Sequence, residues 1–135
     1  MPQMIFVNLP VKDLAKSMAF FEALGFSFNP QFSDETGACM VISDTIFAML
    51  LSHEKFAGFS PKPIADTDKT TEVLIALSRD NRAAVDAIVE AALAAGGSTF
   101  SEPQDHGFMY GRAFRDLDGH VWEAFWMDPA AAKAE

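Results

Sequence analysis

The sequence predicts an α+β fold: two tandem β-α-β-β-β modules that curl into a half-open barrel. Three features carry this expectation. Two stretches show the 3.6-residue apolar period of a helix, and each stands between one strand-like run and three more. The glycines that end these helices, Gly25 and Gly96, are 71 positions apart. Asp44 and Asp118, each just ahead of a closing strand, are 74 apart, and two near-equal offsets indicate a duplicated unit. A four-stranded sheet with a helix on one face leaves its other face in need of cover or a ligand, so the two modules are expected to share a pocket.

Module one takes about residues 1–53. "MIFVNLPV" reads as a strand, and Pro10 suits an exposed edge. Asp13 is placed to cap a helix with Leu14, Met18 and Phe21 on its buried stripe, stopped by Gly25. "FSFNP", "ACMVIS" and "TIFAMLLS" supply three strands, separated by the turn-prone "SDETG" and "SD". Residues 54–70 hold Gly58, Pro61 and Pro63 with no steady period, so they read as a linker that joins modules or covers a site. Module two, about 71–128, restarts with the strand "TEVLIALS". Asp80 can cap a helix whose Val85, Ile88, Val89, Ala92 and Leu93 form one face, ending at Gly96-Gly97. "STFSEP", "GFMYGRAFRD" and "HVWEAFWM" follow as strands, and the tail from 129 to 135 should fray.

Composition excludes several functions. A formal net charge of −9 argues against nucleic acid or an anionic membrane as partner, since both require basic patches. The one cysteine, Cys39, forms no internal disulfide and reads as a small buried hydrophobe. With 13 Phe and 7 Met the interior should be dry and aromatic. The N-terminus lacks a signal-peptide pattern and the longest apolar run, Ile46–Leu51, is too short for a bilayer, so a cytoplasmic protein is expected. No nucleotide-binding loop, nucleophile elbow or Cys-x-x-Cys pattern is present.

The most pointed stretch is "RDLDGHVWEAFW". It sets Glu123 in the middle of an apolar strand. An ionised carboxylate among aromatic residues needs a partner, a proton or an open, wet pocket. Two readings follow: Glu123 faces the inside of the cup, or it pairs with Arg112 or Arg115. Tyr110, Arg112 and Phe114 alternate and so share one strand face; if that face is the cup, Arg112 can clamp an anionic group of a ligand. Among the histidines, His120 reads as a surface turn residue, and His106, in "PQDHGF", can border the pocket mouth.

"VNLPVKDLAKSMAFFEALGF" and "YGRAFRDLDGHVWEAFW", with "MLLSHEKF" and "GFMYGR", resemble the vicinal oxygen chelate superfamily, which holds glyoxalase I, extradiol dioxygenases and the fosfomycin and bleomycin resistance proteins. The resemblance is to its bacterial lactoylglutathione lyase-like branch. It implies one glyoxalase-like domain over residues 1–135, usually a homodimer. It also implies a cup in which first and last strands of each module hold a divalent metal (Zn, Ni, Mn or Fe). Glu123 matches the last of those positions. The other registers depart from the pattern: Phe6 with Asn8 on the first strand, Met49 as the counterpart of Glu123, and Leu74 on the first strand of module two. A rearranged metal set would draw on Glu123, Glu72, His53 and Asn8, and it is incomplete.

Two functions are therefore carried forward. One is a glyoxalase- or dioxygenase-like protein that takes a small oxygenated or thiol-conjugated molecule into the cup, with Glu123 moving a proton as a metal-dependent lyase or dioxygenase. The alternative is a metal-free protein that sequesters an antibiotic-type compound. In either, Phe6, Asn8, Phe47, Met49 and Leu51 line the cup from module one, and Leu74, Phe108, Tyr110, Arg112 and Phe114 from module two.

Overall fold

The computed structural model describes residues 2–132, and the chain divides into two compact units, 1–66 and 67–135. In the first unit β1 (Ile5–Val11), β2 (Ser27–Asn29), β3 (Gly37–Val41) and β4 (Ile46–Ser52) form a sheet in the order β1-β4-β3-β2. β1 runs parallel to β4 and the other pairs are antiparallel. β1 is an edge strand, where Pro10 interrupts no inner ladder. In helix α1 (Leu14–Ala23) the Asp13 carboxylate accepts from the Lys16 N–H at 3.1 Å, and Gly25 follows with φ +102°. Phe20 and Phe21 from this helix are 2% and 1% exposed. They cover the face bearing Leu9, Ala38, Met40, Ala48 and Leu50, all at 2% exposure or less. Each fully buried Phe or Leu contributes roughly 1.5–3 kcal/mol.

The segment expected as a linker is not structureless. Ser52 ends β4 and caps α2 (His53–Phe59), its hydroxyl accepting from the Lys55 N–H at 3.2 Å. This helix lies against β1 and β4.

The second unit repeats the plan. β5 (Leu74–Ser78), β6 (Gln104–Asp105), β7 (Met109–Arg115) and β8 (Val121–Met127) pair in the order β5-β8-β7-β6, with β5 parallel to β8. Helix α3 (Arg82–Ala94) buries Val85, Ile88, Val89 and Ala92 against β7 and β8, whose Phe114, Trp122 and Ala124 are each 1% exposed. Its cap is Asn81, which accepts from the Ala84 N–H at 2.8 Å, rather than Asp80. The reason is upstream: the Arg79 N–H still donates to the Phe125 carbonyl at 2.7 Å, so the chain leaves the sheet one residue later than expected.

"STFSEP" does not form the expected strand. Ser98 makes an isolated bridge to Arg115 and the pairing resumes only at Gln104. Of the tail, Pro129–Ala132 forms a short helix, α4, with Asp128 accepting from the Ala130 N–H; the rest of the expected frayed tail, 133–135, lies outside the described residues. The fold is α+β, and no helix among the described residues is long and apolar enough to cross a membrane.

Candidate functional site

Register fixes which side chains share a face. In the second unit Glu123 stands between Ala76 on β5 and Ala113 on β7. One pleat along, Phe125 lies between Ser78 and Gly111; one pleat back, Val121 pairs with Leu74, itself 61% exposed. This face is turned away from α3, and it puts a half-buried carboxylate on a floor of small side chains.

The opposite face of β7 belongs to the helix. The Tyr110 hydroxyl donates to Asp86 at 2.6 Å. Arg112 Nη1 reaches Asp86 at 3.1 Å and Glu90 at 2.9 Å, both on α3. The Tyr110 hydrogen bond, helped by Arg112 and opposed by burial, holds the Asp86 carboxyl below its ordinary range, and the same bond pushes the Tyr110 phenol up. Phe114 is core. Tyr110, Arg112 and Phe114, expected to meet a ligand, are thus committed to α3. Arg115, the other expected partner of Glu123, places its guanidinium over the Phe100 ring, 4.7 Å from the centroid. Among the described residues Glu123 has no ion-pair or hydrogen-bond partner.

A buried polar cluster aims this strand. Asp116, 6% exposed, accepts from the Trp122 indole N–H at 3.0 Å and from the backbone N–H groups of Asp118 and His120 at 2.9 and 3.0 Å. Burial pushes its carboxyl above the ordinary range, against the charge of His120 and those hydrogen bonds. His120 is not a surface residue: it is 2% exposed, with Nδ1 2.7 Å from Glu72 Oε1. That contact also occupies Glu72, which precedes β5. Gly119, with φ +81°, completes the turn beneath Thr67, whose hydroxyl donates to the Asp118 carbonyl at 2.6 Å; a Cβ here would meet Thr67 Oγ1 at 2.6 Å.

In the first unit Phe6 and Phe47 are register partners and stack, with ring centroids 4.8 Å apart and planes at 11°. Asn8 pairs with Met49, which pairs in turn with Cys39, 1% exposed, where burial pushes the thiol up. Beyond them Asn8, Leu51, Phe56, Phe59, Ser60 and Pro61 line an open cleft of about 570 Å³. The last four residues were missed by sequence reading; the signal was Phe56 and Phe59 at i, i+3 behind the cap Ser52. Phe108 is 52% exposed in the loop before β7, beside His106 with ring centroids 6.3 Å apart.

Comparison with known proteins agrees with this architecture. A family model described as bleomycin resistance protein-like N-terminal matches residues 3–43. Among solved structures, hypothetical protein SA1046 from S. aureus is 33% identical, covering 93% of this chain and 95% of that one with a TM-score of 0.78. A glyoxalase/bleomycin resistance protein/dioxygenase family enzyme from Burkholderia phytofirmans PsJN has 20% identity and a TM-score of 0.76 over 93% of this chain and 99% of its own. The chain has the glyoxalase/bleomycin resistance/dioxygenase fold. The fold is also similar to that of the fosfomycin resistance protein FosX from Listeria monocytogenes, with 21% identity, a TM-score of 0.66, and coverage of 93% and 91%. No curated protein matches.

The positions at which the resemblance implies metal ligands do not fit a metal in this chain. Divalent ions of this kind take three or four imidazole or carboxylate ligands. Phe6, Met49 and Leu74 offer no such donor, and Glu123 is alone. The rearranged set fares no better: Asn8 offers only a neutral carboxamide, and Glu72 is held by His120. Among the described residues no group of three or more His, Cys, Asp or Glu is placed to hold an ion.

Proposed function

We propose that this protein binds a small molecule on the open faces of its sheets and does so without a metal. One observation carries the reading: the registers expected to hold metal ligands carry Phe6, Met49 and Leu74, with Glu123 the one carboxylate. Side chains of that kind suit an aromatic or amphipathic compound, with Phe6 and Phe47 as a stacking wall. Resemblance to bleomycin resistance proteins supports sequestration of an antibiotic-type compound. A second reading, a lyase- or dioxygenase-like enzyme, is favoured by Glu123 itself, since an unpaired carboxylate on an open face is free to move a proton.

Elemental analysis of the dialysed protein divides the two. We expect zinc, nickel, manganese and iron well below one ion per chain. Stoichiometric metal that survives dialysis and is lost in Glu123→Gln would restore the enzyme.

The same reading includes a homodimer. Ile5 and Phe32 are 54% and 66% exposed in the first unit, apolar side chains that a two-fold partner would cover. Light scattering at micromolar concentration should give twice the chain mass; a clean monomer counts against it.

A further inference from the structure

We infer that Arg79 is the centre of a binding site for a small oxyanion, a carboxylate or phosphate group, on the face of the second unit that carries α3. This is the sheet face opposite Glu123, so the inference depends on neither that residue nor the ligand surface proposed above. Register builds the site. β5 runs parallel to β8 with Ser78 opposite Phe125, and the Arg79 N–H donates to the Phe125 carbonyl at 2.7 Å. The ladder therefore continues by one residue and sets Arg79 beside Trp126. Trp126 pairs with Tyr110, and Tyr110 with Asp105. One row thus crosses all four strands: an arginine, two aromatic rings and an aspartate. Arg82, from the first turn of α3, lies over both rings, 5.3 Å from the Trp126 centroid and 5.1 Å from that of Tyr110, and grips Asp105 with both terminal nitrogens.

Three arginines occupy this face, and carboxylates serve two of them. Arg82 has Asp105, and Arg112 has Asp86 and Glu90. Arg79 has none: among the described residues its side chain makes no ion pair or hydrogen bond, and its Nε is buried without a partner. Asp80, the next residue, is exposed and does not pair with it. A half-buried guanidinium has lost part of its hydration on folding, so an anion at its terminal N–H groups is attracted more strongly than at a fully solvated arginine. The planar fork of those groups matches an edge of a carboxylate or phosphate. Trp126 offers a second donor, since its indole N–H also has no partner among the described residues. The chain holds 19 acidic residues against 10 Lys and Arg, yet places no carboxylate on Arg79. The complementary charge is left to an anion from solution.

Trp126 reports on the site, because the only other tryptophan, Trp122, is 1% exposed. The full chain can be titrated with iodide, an anionic quencher, at constant ionic strength in sodium fluoride. Quenching should saturate, and millimolar inorganic phosphate or acetate should reverse it; the stronger of the two tells whether the site prefers a phosphate or a carboxylate. Arg79→Gln should weaken both anions at least about tenfold. If that variant does not fold by circular dichroism, Arg79→Lys, which keeps the charge and loses the fork, takes its place with an expected loss of at least about threefold. Lys16→Gln, the same charge removed from the exposed side of α1, should change nothing. Trp126→Phe should remove the saturable component. The inference is overturned if quenching rises linearly with iodide as collisions alone require, if neither phosphate nor acetate reverses it, if the folded Arg79 variant binds as the parent does, or if the saturable component survives Trp126→Phe. Glu123→Gln should bind both anions as the parent does, so failure of the proposed ligand surface would leave this result standing.

Discussion

Exchanging two carboxylates, Glu123 to Gln and Asp86 to Asn, should separate a group without a protein partner from one that anchors a network. Both substitutions nearly conserve shape, so the difference between them reports charge and hydrogen bonding. Glu123 lies between Ala76 and Ala113 and holds neither arginine, so its loss should change stability by no more than about 0.5 kcal/mol at pH 7. Asp86 accepts from the Tyr110 hydroxyl at 2.6 Å and from Arg112 at 3.1 Å. A bond to a charged acceptor is worth ~1.5–3 kcal/mol when buried. The Asp86 side chain is 48% exposed and Glu90 keeps hold of Arg112, so solvent and redundancy cut this; we expect a loss of about 1–2 kcal/mol. The pH dependence adds a sign. The folded pKa of Asp86 is lowered, so its contribution is complete above the ordinary aspartate value of about 3.9 and disappears as pH falls through the lower folded value. Urea melts followed by tryptophan emission, at pH 7 and at about pH 3, give both numbers. A loss of 2 kcal/mol or more in Glu123→Gln would show that it holds a buried cation, and would refute the argument from register.

Two further outcomes follow from the second unit. Asp116→Ala removes one acceptor from three donors and should cost about 3 kcal/mol, with loss of the near-ultraviolet signal of Trp122. Because burial raises the folded pKa of Asp116, the parent should lose stability as pH climbs from about 3.9 through that value, and the variant should lack this slope; an unchanged slope would exclude Asp116 as its source. Asp105, gripped by both Arg82 terminal nitrogens at 2.8 and 2.9 Å, should titrate at about 2 by carbon-detected NMR and move up toward the ordinary range in Arg82→Gln. A midpoint unmoved by that substitution would show that the pair does not form in solution.

Much of the scaffold was legible because it depends on local periodicity. Val85, Ile88, Val89 and Ala92 announce a buried helix face, and the Asp118-Gly119 turn announces the strand that carries Glu123. What sequence could not decide was which face of β7 meets that helix. Alternation groups Tyr110 with Arg112 but gives both faces equal standing; the choice is made by Asp86 and Glu90, i, i+4 carboxylates beside the buried stripe. His120 was misread for a similar reason. Its burial depends on Glu72, 48 residues earlier, and no local rule reaches that far. Helix α2 was hidden by Gly58 and the prolines that follow, although Ser52 and the Phe56/Phe59 spacing marked it.

The two units share a register and differ in what they place on it. Asn8 faces Met49 where Ala76 faces Glu123, so one backbone plan presents a thioether beside a carboxamide in one unit and a carboxylate between two alanines in the other. This answers the energetic question posed by a charge in an apolar strand. Of the three remedies, a protein partner is ruled out among the described residues, because Arg112 is spent on α3 and Arg115 on Phe100. Small neighbours provide for the open pocket: Ala76 and Ala113 leave room beside Glu123 for solvent or for a polar group of a ligand, which a leucine at either position would fill.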